Sequence, residues 1–167
     1  VEQEKDDLAF IVSGDEVRVF TKVRGYATTV LKDLITDIST NEGAKDVETI
    51  LGSCPFSYPK PLSLMQLLVQ GIASKDDDAI VMDFFAGSGT TGHAVITENA
   101  GLNGNRRFVL VQLPEVLDPA EKNQKVGAEF CDKLKRPRNI AELTKERLRG
   151  ASRATKKASP LFKGDAG

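Results

Sequence analysis

Residues 79–92 read Ala-Ile-Val-Met-Asp-Phe-Phe-Ala-Gly-Ser-Gly-Thr-Thr-Gly, and this stretch decides the fold. Ala79 to Phe85 is a short apolar run with one acid inside it, the pattern of a strand buried in a parallel sheet. A glycine-rich turn follows from Ala86 to Gly92. A helix is expected roughly from Thr90 to Asn99, with Ala100-Gly101 as its stop. After a loop at Asn103-Gly104-Asn105, Phe108 to Leu113 forms a second buried run. Strand, loop, helix and strand within about 35 residues predict a β-α-β unit. The chain is therefore expected to be α/β, with a largely parallel sheet and a right-handed crossover.

Upstream, the apolar runs 8–12 and 17–20 flank Ser-Gly-Asp-Glu, which predicts a β-hairpin. Residues 26–52 are mixed: Leu31, Leu34, Ile35 and Ile38 fit one helical face, while Thr28, Thr29 and Val30 oppose it. Gly52 to Pro61 holds three prolines and reads as a loop. Leu64, Met65, Leu67, Leu68 and Ile72 then make the broad apolar face of a helix ending near Ser74. Lys75 to Asp78 is a charged turn, and no glutamate and glycine follow at calcium-loop spacing. Downstream, helices are expected over Pro119–Leu134 and from Ile140 to about Lys156, ahead of a frayed tail. From Lys133 to Lys163 there are eleven Lys or Arg against two acids, Glu142 and Glu146. Such a stretch is either a solvated face or a DNA contact.

A chain of 167 residues, 40% apolar and 28% charged, has the make-up of a soluble domain with a core of useful size. No apolar run reaches the roughly 18 residues of a membrane span, so an integral membrane protein is not expected. The acidic, polar start from Val1 to Asp7 does not resemble a signal peptide, and a start at Val rather than Met fits a piece of a longer protein. A net charge of −1 argues against indiscriminate nucleic-acid binding. Cys54 and Cys131 form no CxxC pair and His93 is the one histidine. No zinc site or disulfide scaffold is expected, and a cytoplasmic location is.

Gly87-Ser88-Gly89-Thr90-Thr91-Gly92 fits GxGxxG. Its glycines allow a sharp turn and close approach of a ligand to a helix N-terminus. Dinucleotide enzymes use the same pattern with an acid about 20 residues further on, where this chain has Val111-Gln112-Leu113. The distinctive acid stands before the glycines instead, at Asp83, where it would repel a pyrophosphate and suit an ammonium group. The plainer readings are a tight turn without ligand, Asp83 as a helix cap, Phe84 and Phe85 as core, and His93 as a structural histidine.

Asp83 to Thr91 resembles the S-adenosylmethionine-binding motif of amino-methylating DNA methyltransferases. Continued through Gly92-His93-Ala94-Val95 and joined to residues 105–115, Asn-Arg-Arg-Phe-Val-Leu-Val-Gln-Leu-Pro-Glu, it resembles the modification subunit of type III restriction-modification systems. Those subunits are adenine-N6 methyltransferases. Tyr58-Pro59-Lys60-Pro61-Leu62 resembles the family's motif ahead of the glycine loop, and Thr36-Asp37-Ile38-Ser39 a segment further upstream. Asn139-Ile140-Ala141-Glu142 and Glu146-Arg147-Leu148-Arg149 resemble its final helix. The likeness runs from about Tyr26 to Arg153.

The resemblance implies a partial Rossmann-like methyltransferase fold with C-terminal helices, and S-adenosylmethionine as cofactor. Residues 1–25 would end a target-recognition region or form a connecting hairpin, 26–153 would bind the cofactor, and 154–167 would be a flexible tail. Asp83, Phe85, Gly87, Ser88, Gly89, Thr90 and Thr91 would hold the methionine and sugar side. Gln112 would reach the ribose with Glu115 in reserve, and Lys60 would meet the methionine carboxylate. Implied partners are duplex DNA, the remainder of the methyltransferase and a restriction subunit, and a homodimer is left open. The family's Asp-Pro-Pro-Tyr-type motif, which holds the flipped base and accepts its amino protons, is missing, since the chain contains no Pro-Pro. The chain alone is therefore expected to be inactive. The alternatives are an NAD-dependent oxidoreductase domain or a non-catalytic interaction module.

Overall fold

The computed structural model describes residues 8–13, 16–21, 34–73, 78–102 and 104–158, with the backbone alone at 8–13, 16–21, 102 and 158. The chain divides into two compact units, Val1–Val30 and Leu31–Gly167. The first contains strands β1 (Leu8–Ser13) and β2 (Glu16–Thr21), paired antiparallel from Leu8 opposite Thr21 to Ser13 opposite Glu16. This is the expected hairpin; its Gly14-Asp15 connection lies outside the described residues.

The second unit runs α1 (Glu42–Leu51), α2 (Leu62–Ala73), β3 (Ile80–Asp83), α3 (Thr90–Leu102), β4 (Arg107–Leu110), α4 (Lys125–Lys133) and α5 (Ile140–Ala158). β3 and β4 pair in parallel, Ile80 opposite Arg107 through Asp83 opposite Leu110. The crossover between them is α3, so the β-α-β unit stands as read. Val69, Ala94 and Val95 form a buried cluster, with Leu62, Met65, Val81 and Phe108 packed against it. One face of the small sheet is thus covered by α2 and α3. The other carries exposed Ile80, Met82, Val109 and Val111.

Several boundaries differ from expectation. Residues 34–41 are not helical, and Leu31 lies outside the described residues; the helix of this region is α1. Val47, Ile50 and Leu51 stand at i, i+3 and i+4, a short apolar stripe on an otherwise polar α1. Its sequence sign is Ser39-Thr40-Asn41-Glu42, a capping-box pattern, in which the Glu42 side chain accepts the Ser39 N–H at 3.2 Å. α3 continues past Ala100-Gly101 to Leu102, beyond which Gly104 N–H bonds the Asn99 carbonyl. β4 is shorter than Phe108–Leu113 because its partner ends at Asp83 and the chain turns away. Residues 119–124 form turns rather than helix, since Asp118 Oδ1 accepts Ala120 N–H and Gln124 Oε1 accepts Asp118 N–H, both at 2.8 Å. The Lys75–Asp77 turn and residues 159–167 of the expected tail lie outside the described residues.

α1 holds the Pro59-Lys60-Pro61 strap and the start of α2. Asp46 Oδ2 accepts the Leu62 N–H at 2.7 Å, placing a carboxylate at the N-terminus of α2. Glu42 Oε2 accepts the Ser63 hydroxyl at 3.0 Å. At the other end of α2, the buried Arg106 donates through Nε and Nη2 to the Ala73 carbonyl, at 3.0 and 2.9 Å. The strap passes so close to α1 that a Cβ on Gly43 would strike the Pro59 carbonyl. Gly43→Ala gains roughly 1 kcal/mol of helix propensity yet is expected to be destabilising by about 1–3 kcal/mol net. Urea denaturation measures this; a stabilised variant would mean the strap does not lie on α1.

Candidate functional site

The glycine loop leaves β3 while staying tied to β4. Val111 N–H bonds the Asp83 carbonyl at 2.8 Å and Ala86 N–H bonds the Val111 carbonyl at 3.0 Å. The chain then folds on itself, Gly89 N–H reaching the Ala86 carbonyl at 2.6 Å. Gly87 and Gly89 have φ of +50° and +75°, a region that L side chains rarely enter. Asp83 ties the loop together rather than capping the helix: Oδ1 accepts the Phe85 N–H two residues on at 3.0 Å and Oδ2 accepts the Thr91 hydroxyl at 2.6 Å. A carboxylate has about four lone-pair sites, so these two bonds do not exhaust its acceptor capacity. Gln112 also serves the loop, its Oε1 accepting Gly87 N–H at 2.7 Å and its Nε2 donating to the Leu113 carbonyl at 3.1 Å.

The loop is clamped from beneath by α5. Asn139 Oδ1 caps this helix through Glu142 N–H at 2.9 Å, and Ile140 N–H bonds the Glu115 carbonyl at 3.1 Å. Its buried face carries Leu143, Thr144, Arg147 and Ala151. Thr144 donates its hydroxyl to the Gly87 carbonyl at 2.5 Å, and its methyl group leaves no room for a Cβ on Gly89. Arg147 is fully buried. Its Nη1 donates to the Ser88 hydroxyl at 2.9 Å, the Ser88 carbonyl at 3.3 Å and the Thr90 hydroxyl at 2.8 Å. Its Nη2 faces His93 Nδ1 at 3.4 Å, and its Nε has no hydrogen-bond partner among the described residues.

This packing sets two protonation states. Burial, and secondarily the Arg147 charge, lower the His93 pKa to about 4, so the imidazole is neutral at physiological pH. Burial lowers the Arg147 pKa to about 10, which leaves the guanidinium charged. His93 is therefore a packed, neutral neighbour of Arg147.

The sequence-derived residues lie around one loop but do not all face one space. Gly87 and Ser88 border a cavity of about 620 Å³, with Phe56, Tyr58, Glu115 and Leu117 on its walls. Asp83 and Thr91 border another, of about 570 Å³, lined further by Met65, Ile72, Ile80 and Met82. Gly89 and Thr90 sit beneath the loop, buried. Lys60 is exposed on the strap, and its carbonyl accepts the Thr90 hydroxyl at 3.3 Å. Phe85 is 91% exposed, so it is not core. Phe84 is also exposed, against the expectation of core packing. Thr144 and Arg147 went unassigned as site residues. Their one sequence sign is polarity on the buried stripe of α5, and nothing local tells which loop they meet.

Three basic residues of α5 are engaged with its own acids: Lys145 with Glu142 at 2.7 Å, and Arg149 and Arg153 with Glu146 at 3.3 and 2.8 Å. Among the described residues no group of three or more His, Cys, Asp or Glu is placed to hold a metal ion. No described helix is long and apolar enough to cross a membrane.

The profile of a DNA methylase family matches residues 18–111. The type III restriction-modification enzyme StyLTI Mod subunit of Salmonella typhimurium is 35% identical over 115 residues, 69% of this chain and 17% of that protein. The EcoPI Mod subunit of Escherichia phage P1 is 36% identical over 112 residues, 67% of this chain and 16% of its own length. The type II methyltransferase M.KpnI of Klebsiella pneumoniae is 36% identical over 73 residues, 44% of this chain and 17% of that enzyme. The chain thus spans about a sixth of the length of these relatives.

The buried cluster has a pH signature. His93 takes a proton near pH 6.5 when unfolded and near pH 4 when folded. Its contribution to stability is full above pH 6.5 and is lost as the pH falls toward 4, because the unfolded state then binds the extra proton. At about 1.4 kcal/mol per pKa unit the loss is roughly 3 kcal/mol. Urea denaturation at pH 7.5 and 4.5 should show this component in the parent chain and its disappearance in His93→Gln. An identical pH dependence in both would rule out a neutral, buried His93.

Proposed function

From the premise that the chain belongs to the DNA methylase family, we propose that it is the S-adenosylmethionine-binding portion of a site-specific adenine-N6 DNA methyltransferase of the type III modification kind. The observation that carries this reading is the glycine loop held at the rim of a cavity with Glu115 on its wall. At about 620 Å³ the cavity lies within the roughly 300–1,000 Å³ usual for small-molecule sites.

The residues fit a zwitterionic nucleoside. Gly87 and Ser88 supply close backbone approach, and the exposed Glu115 carboxylate is the acceptor suited to ribose hydroxyls. Gln112 acts behind it, keeping Gly87 in place. Asp83 holds Thr91 and the loop entrance and retains acceptor capacity toward an ammonium group. Phe85 offers an exposed aromatic face, and Lys60 an exposed ammonium on the strap tied to Thr90. When bound, the cofactor supplies an activated methyl group, and the task of these residues is to hold it in position.

The sheet takes a partial Rossmann-like form in this reading. Parallel sheets are normally covered on both faces. The exposed Ile80, Met82, Val109 and Val111 therefore support completion of the sheet by further methyltransferase polypeptide. That polypeptide would bring the base-holding motif, so the 167 residues alone bind the donor without transferring its methyl group. Duplex DNA and a restriction subunit are partners of the whole assembly, and the likeness to Mod subunits supports both.

Calorimetric titration tests the reading. S-adenosylmethionine should bind saturably and NAD should not. Asp83→Ala should weaken binding by about tenfold or more and Glu115→Gln several-fold, the scale of a lost charge-assisted hydrogen bond. Saturable NAD binding with no response to S-adenosylmethionine would replace this function with an oxidoreductase one.

A further inference from the structure

Arg147 is a buried charge on which an opposing carboxylate, Asp46, acts only from beyond ion-pair distance. It is fully buried, it makes no salt bridge among the described residues, and it meets a carbonyl, two hydroxyls and a neutral imidazole. Its Nε atom is buried with no hydrogen-bond partner among the described residues. Taking a guanidinium out of water costs several kcal/mol, and apolar replacement of buried charges is often stabilising. Packing alone therefore gives a poor account of a cation here.

The charge is aimed at one place. Nη1 lies against Ser88 and Thr90, directly under the apex of the loop. α3 starts at Thr90, so the partial positive charge of its N-terminus adds to the guanidinium at the same point. Of the two acids of the site, Glu115 shares the cavity wall with Gly87 and Ser88, while Asp83 holds the entrance of the loop, tied to Phe85 and Thr91. The cavity rim at Ser88 is thus positive and its wall at Glu115 negative. That pattern complements a ligand whose carboxylate is separated from its ribose hydroxyls.

We propose that Arg147 is the positioning residue that sets the carboxylate of the cofactor's amino-acid end against the loop at Ser88, making the site selective for carboxylate-bearing sulfonium nucleosides. This assignment rests on the cofactor reading above. Arg147 does not touch the ligand. It acts through the loop, by its charge in a water-poor setting and by holding the Ser88 and Thr90 hydroxyl oxygens as acceptors. The Thr90 hydroxyl is then directed to the Lys60 carbonyl, which fixes the strap against the same apex.

The test compares S-adenosylmethionine with decarboxylated S-adenosylmethionine, which lacks the carboxylate alone, by calorimetric titration of the full 167-residue chain. The parent chain should prefer S-adenosylmethionine by about tenfold or more. In Arg147→Met the preference should fall below about threefold, and Arg147→Lys, which keeps the charge, should restore most of it. A merely structural arginine would instead lower both affinities equally. An unchanged preference in Arg147→Met overturns the assignment, as do equal affinities in the parent chain, a measurement that needs no variant to fold. If the parent chain binds neither nucleoside, the cofactor reading falls and this assignment with it.

Discussion

The glycine loop depends on a guanidinium placed beneath it. Arg147 spans Ser88, Thr90 and His93 from a helix 54 to 59 residues further along the chain. Thr144, one turn earlier, takes the Gly87 carbonyl. Together they pin α5, the loop and the start of α3, and through Thr90 the Lys60 strap. The strap is fixed in turn by α1, whose Gly43 admits it and whose Asp46 caps the helix that follows. A loop with two left-handed glycines would otherwise have many conformations open to it, and ordering each residue costs about 1–2 kcal/mol. Burial of the clamp makes that ordering a property of the fold, so the loop surface is preformed.

The same clamp alters how the basic C-terminal stretch is understood. Eleven cations against two acids suggest a positive face, but position on the helix divides them. Arg147 points inward, while Lys145, Arg149 and Arg153 are matched by Glu142 and Glu146 three to seven residues away. Such exposed pairs add at most about 1 kcal/mol each. They do lower the charge that α5 presents to a polyanion, because its acids sit within reach of its bases.

Within the second unit the sheet is uneven in a way that has a simple origin. Side chains alternate across β3 and β4, so Val81 and Phe108 face the cluster of Val69, Ala94 and Val95 while Ile80, Met82 and Val109 face outward. The outward residues are as apolar as the inward ones. They carry the composition of a sheet covered on both sides, which agrees with a chain that spans about a sixth of its relatives.

The sequence alone determined what local periodicity and backbone restriction can encode. The run Ile80–Asp83, the glycines after it and the second run at Arg107–Leu110 imply a parallel pair, because the segment between them is long enough for a crossover helix. Asp83 as the acid of the loop was legible for the same reason. Tertiary structure alone decided what lies across the chain. α1 shows only a short apolar stripe in the sequence, Val47, Ile50 and Leu51, and its role comes from packing on the strap. Gln112 could have pointed outward, and the fold turns its oxygen onto Gly87. Arg147 on a helical stripe reads as a surface charge until the helix docks, since burial and partner choice depend on which surface meets that stripe. Local sequence sets which shapes a segment can take; only long-range packing selects which polar groups are buried together, because desolvation is shared between segments that the sequence keeps apart.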